Sequence, residues 1–235
     1  MKARRVKRLD PQGPLGENAA RMALVRLGEL RSFIPGALEP DEQEMQHDMR
    51  IAAKRLRYVL EATGFCFGRA GATARREAKE LQDLLGEIHD ADVMLPRLHE
   101  HRAVMRGQDA EDVLRQAGDA EDLDPALAAR APHRTAYRGL EVLEVYLVTR
   151  RALLYERFVE HWLRSDSKGV WKALERAAER ELERTAELRR QRERADRARA
   201  TLAAAERARE EAEQLAARAA AELVAAERGS GPSAP

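Results

Sequence analysis

Cysteine is nearly absent from these 235 residues, with Cys66 standing alone. No intrachain disulfide can form, which excludes a disulfide-stapled secreted fold and a cysteine-rich zinc site and suits a reducing compartment. Aromatic residues are scarce at 4%, and nine prolines and fourteen glycines are too few for the turns of a β-sandwich or barrel. No run of 18 apolar residues occurs, and the basic start Met1 to Arg8 leads into no apolar signal segment, so a soluble, cytoplasmic protein without a membrane partner is expected. Neither sign of charge dominates: 42 basic residues face 41 acidic ones, a balance of +1 that predicts no general attraction to an anion. What is present, 44% hydrophobic and 35% charged residues, predicts an all-α fold: a helical bundle with a long C-terminal helix extending from it.

The chain divides by pattern. Residues 1–13 carry five basic side chains and end in Pro11-Gln-Gly13, which reads as a basic flexible arm. Residues 14–177 read as the bundle. A first helix runs from Leu15 to Ile34 and is stopped by Pro35-Gly36; a second is capped by Asp41 and ends at Gly64. A third starts near Thr73, carries Leu81, Leu84, Leu85 and Ile88 on one face, and should kink or break at Pro96. An acidic loop is expected from Gly107 to Pro132, then a helix from His133 to Arg164 and a cap within Ser165-Asp-Ser167.

Residues 178–228 form a charged, Ala-rich helix; from Val170 onward nearly sixty residues lack Pro and Gly, which predicts roughly 85 Å of helix. Its heptad seam, with Leu188, Leu202 and Leu223 but also Arg209, is thin, so a coiled coil, a solvated spacer and a helix folded back on the bundle all remain open, with a homodimer through this helix as one expectation. Residues 229–235 read as a flexible tail.

The neutral total conceals an uneven distribution. Residues 1–80 hold 16 basic and 11 acidic side chains, residues 81–148 hold 7 and 14, and the remainder 19 and 16. An anion would therefore meet the front of the chain. Within it, His47, Arg50, Lys54 and Arg57 recur at helical spacing and fall on one face, roughly opposite Met49, Ala52, Leu56, Val59 and Leu60. Stacked donors over about three turns, some 15 Å, suit a repeating anion better than one small ligand, and arginine adds bidentate phosphate geometry. The same face could equally be a solvated one, with Glu61 as an i, i+4 partner. On the third helix Arg75, Lys79, Asp83, Gly86 and Asp90 form a polar stripe. If it faces the first, Asp83 and Asp90 would orient Arg50 or Arg57, and Gly86 would let the helices approach.

Two segments, His47-x-x-Arg50-x-x-x-Lys54-Arg55-x-Arg57 and Leu81-Gln-Asp-Leu-Leu-Gly86-Glu-Ile-His-Asp90, together resemble the CHAD family, the conserved histidine α-helical domain. The resemblance is convincing over about residues 41–95. It implies a helical bundle that binds inorganic polyphosphate on a basic surface, often bringing its protein to polyphosphate granules, with no catalysis and no cofactor or metal. Carried onto this chain, it places polyphosphate contacts on His47, Arg50, Lys54 and Arg57, with Lys79 as a fifth. Arg55, Arg75 and Arg76 join them as neighbouring cations, and Asp90 matches the family's acidic position. Only one such basic helix is present, so the likeness is to a short member with a single half, and a basic surface completed by two chains becomes plausible.

Three other readings compete. The doublet His89-Asp90, with His47 and Asp92, is similar to the ligand set of HD-type metal-dependent phosphohydrolases. Nucleic acid could meet the arm Arg4-Arg-Val-Lys-Arg8, but the stripe offers only Tyr58 for stacking, so nucleic acid is disfavoured as a partner. A coiled-coil adaptor would use the distal helix alone.

Overall fold

A computed structural model describes residues 2–229; the expected tail beyond them lies outside the described residues. Six α-helices follow one another: α1 (Leu15–Arg31), α2 (Gln43–Thr63), α3 (Gly68–Ala117), the single turn α4 (Pro125–Ala128), α5 (Ala136–Ser167) and α6 (Val170–Gly229). Short 3-10 turns at Gly36–Leu38 and Gly64–Phe67 make the corners on either side of α2. Among the described residues there is no strand, and no helix is long and apolar enough to cross a membrane. The chain forms two compact units divided between Leu182 and Glu183.

In the first unit, one core joins α1, α2, the first half of α3, the second half of α5 and the first turns of α6. Its composition follows from the shortage of aromatics: alanines such as Ala19, Ala23, Ala52, Ala53, Ala74 and Ala78 line the helix contacts and allow close approach. Bulk is concentrated in Phe158 and in Trp162, which stacks on the fully buried Trp171 with ring centroids 5.7 Å apart. A buried ion cluster fastens α1 to α2. Glu29 is fully buried and accepts hydrogen bonds from Arg26, from Arg55 and from the backbone N–H of Arg4. Residues 2–13 have no regular structure, yet Arg4 is tied to α1 through Glu29 and the Gly28 carbonyl, and Asp10 exchanges hydrogen bonds with Asn18.

Several helix ends differ from the sequence expectation. Asp41 does not cap α2, whose preceding residue Glu42 makes no side-chain cap bond. Pro96 lies inside α3 without ending it: the helix continues for five more turns past Leu98 and Met105, both buried, because α5 packs along it. The expected loop therefore starts only after Gly118, whose positive φ ends the helix. Asp109 fastens the return of the chain, accepting from the His133 backbone and ring and from the Tyr137 hydroxyl. Ser165 and Ser167 form the last turn of α5 rather than a cap for α6, and the break is made by Gly169 at φ 67°.

The second unit is the helical stretch from Glu183 onward. Leu188, Leu202 and Leu215 are exposed there, and its ion pairs are local, such as Arg190 with Glu187 and Arg209 with Glu213.

Candidate anion-binding site

Helices α2 and α3 run antiparallel, and their polar stripes meet at three successive points. At the first, Arg57 donates from Nε to Gln82 Oε1 (2.9 Å) and from its terminal nitrogen to Glu61 (2.8 Å), while its guanidinium lies over the Tyr58 ring. At the second, Arg50 crosses α3 at Gly86: a Cβ there would stand 3.4 Å from Arg50 Nε. At the third, His47 and His89 bring their Nδ1 atoms to 3.2 Å, with ring centroids 4.3 Å apart. One imidazole must donate and the other accept across that contact. Lys54 is exposed between these points, with Nζ 5.9 Å from the centre of the Tyr58 ring. Arg75 and Lys79 continue the stripe along α3 and are exposed.

Arg50 has an unusual environment. Its Nε is buried and makes no hydrogen bond, and no carboxylate pairs with its guanidinium among the described residues. A half-buried, uncompensated cation beside a histidine pair is electrostatically costly by itself. The effect is visible at His47, whose pKa is held below the ordinary histidine value by burial first, then by His89 and by Arg50. An anion seated here would offset the charge of Arg50 and that of a protonated His47, though not their burial.

Two of the expected carboxylate roles are corrected. Asp83 pairs with Lys79 on its own helix (2.6 Å), and Asp90 is exposed at the outer edge; neither holds Arg50 or Arg57. Gln82 on α3 and Glu61 on α2 orient Arg57, the latter as the i, i+4 partner its spacing offered, and Gly86 makes room for the Arg50 side chain. Arg55 is also corrected. It points at Glu29 on α1 (2.9 Å), away from the stripe, as its position roughly 160° from Arg57 around the helix requires. Arg76 likewise leaves the stripe, since it follows Arg75 by about 100°; it lines a groove with Arg69, Thr73 and Lys168 on another side of α3.

The metal reading fares differently for its parts. His47 and His89 come together, but Asp92 is held by Arg151, which reaches across from α5 and also donates to Gln46 and the Pro40 carbonyl. The one group among the described residues with three clustered metal-ligand types is Glu77, Glu80 and His161. There the Arg164 guanidinium already stands 3.3 Å from His161 Nδ1 and 3.9 Å from Glu80, and Ser165 donates to Glu77. A cation is thus supplied by the chain itself.

The histidine pair, Gln82 and Tyr58 complete what the charge pattern alone did not identify. Gln82 and His89 lie within about 60° of Gly86 on the α3 helical wheel, so the period contained this information. No curated protein and no solved structure matches the chain. Residues 2–99, which contain α1, α2 and the part of α3 that bears this ledge, match the family model described as CHAD domain. Over these residues, somewhat less than half of its length, the chain is similar to the CHAD domain.

Proposed function

We propose that the protein is a non-enzymatic binding module for inorganic polyphosphate, held along the α2–α3 ledge by His47, Arg50, Lys54 and Arg57 and continued by Arg75 and Lys79. Such a module would carry its chain to polyphosphate granules, with the helix from Glu183 onward serving as a spacer or in self-association. Arg50 carries the reading: a partly buried guanidinium with an unsatisfied Nε, at the centre of a line of donors, lacks only an anion. The ion pairs now on the ledge are weak competitors. Arg57 with Glu61 and Lys79 with Asp83 are i, i+4 pairs at the surface, each contributing about 0.3–0.5 kcal/mol. A polymer with one charge per phosphate can displace them.

Isothermal titration with long-chain polyphosphate tests this. Arg50→Ala should weaken binding at least tenfold, about 1.4 kcal/mol, whereas Lys172→Ala, an exposed cation on α6, should leave it unchanged. Equal losses from both would mean that only net charge matters and would remove the ledge. Affinity should also fall steeply with salt, because a bound polyanion releases condensed counterions.

Acidity should act in a defined direction. His47 is biased towards its neutral form in the free protein, and a bound anion favours its protonated form, so binding takes up protons and strengthens as pH falls from 8 towards 6. Without the anion the same shift works against the fold. A histidine whose folded pKa is depressed contributes stability above its unfolded value, near 6.5, and loses it as pH drops through the folded one. His47→Gln should flatten the pH dependence of binding; an unchanged slope would assign the proton to another group.

A further inference from the structure

Helix α5 is apolar on two sides. Leu140, Leu147, Leu154 and Phe158 lie on its inner side and are half-buried or buried. On the other side Val142, Val145, Thr149, Ala152 and Leu153 recur within a sector of roughly 100°, flanked by Tyr146 and Val148. All of these outer residues are exposed, and Val145 reaches 67%. The cause lies in the layer structure: among the described residues the first half of α5 packs along the second half of α3, where Leu98 and Met105 are the buried apolar side chains, while the main core involves α5 from Leu154 onward. A helix with apolar residues on both sides needs a cover on both.

The charges bounding the stripe indicate what covers it. Arg138 at its start and Glu156 at its end share the meridian of the stripe, about 27 Å apart along the helix. Both are exposed, and neither has an ion-pair partner among the described residues. A two-fold axis through the helix at Leu147 sets Arg138 of one copy against Glu156 of the other, twice. The same axis places Val142 over Ala152 and Val145 over Thr149. A parallel pairing would oppose like charges. The stripe is therefore self-complementary in the sense that an isologous interface requires.

We infer that a second copy of this chain docks antiparallel along the outer face of α5, with Val142, Val145 and Thr149 at its centre and Arg138–Glu156 pairs at both ends. This pairing is independent of the anion reading and of the helix from Glu183 onward. Light scattering on the full chain, without polyanion and at roughly 100 µM, where a micromolar pairing is largely saturated, should give the mass of a dimer. Val145→Glu should give a monomer with an unaltered circular dichroism spectrum, since the replaced side chain is exposed. Arg138→Glu and Glu156→Arg should each weaken pairing at least tenfold, and the two together should restore it to within about threefold of wild type. A monomeric wild type, as expected if a different protein covers the stripe, overturns the inference. So does a Val145→Glu protein that stays dimeric, as pairing through α6 would produce, or a double exchange that fails to restore.

Discussion

Glu29→Ala is expected to destabilise the fold by about 3 kcal/mol, near the lower end of what breaking a buried ion pair costs, and to lower the thermal midpoint by about 10 °C. The carboxylate is fully buried, and burial alone would raise its pKa. The hydrogen bond from Arg26, the backbone N–H of Arg4 and the charges of Arg26 and Arg55 outweigh that cost and hold it below the usual carboxylate range. Removing it takes from Arg26 and Arg55, whose side chains are only 15% and 24% exposed, the carboxylate they share on α1. The pH dependence has the matching sign: a carboxylate with a depressed folded pKa contributes above its unfolded value and loses that contribution as pH falls through the folded one. Thermal unfolding followed by circular dichroism from pH 7 to pH 3 should therefore show a flatter profile for Glu29→Gln than for wild type. A loss below 1 kcal/mol in Glu29→Ala at pH 7 would show that the cluster is incidental.

Gly71→Ala should cost about 3 kcal/mol, at the upper end of ordinary overpacking, and should also weaken anion binding. A Cβ at Gly71 would stand 2.2 Å from the Gly64 carbonyl oxygen and 3.1 Å from Phe67 Cβ, so the backbone of the α2–α3 corner must open. That corner sets the spacing that brings Arg57 to Gln82, Arg50 to Gly86 and His47 to His89. The contrast is Gly28→Ala in α1, where a Cβ meets nothing within 4 Å. There the gain in helix propensity should stabilise the fold by about 0.5–1 kcal/mol. Equal effects at the two glycines, measured by urea unfolding, would exclude the close-approach explanation.

The helical period of the sequence determined much of this. It identified α1, α2, α3, α5 and the long α6, the apolar face of α2, and the shared face of His47, Arg50, Lys54 and Arg57, because one face of an amphipathic helix is a local property. It also contained the separation of Arg55 from Arg57 and of Arg76 from Arg75, since neighbours one or two positions apart cannot share a helix face. What each side chain meets depends on the element opposite and was decided only by tertiary packing. Asp83 looked suited to hold an arginine, yet Lys79, one turn away on the same helix, takes it, and uncharged Gln82 holds Arg57. Pro96 looked like a break, yet α5 packing carried α3 through it. Arg50 became uncompensated, and His47 met His89, only when residues about forty positions apart were brought side by side. Those contacts depend on the small residues that let α2 and α3 approach, and no single-helix pattern contains them.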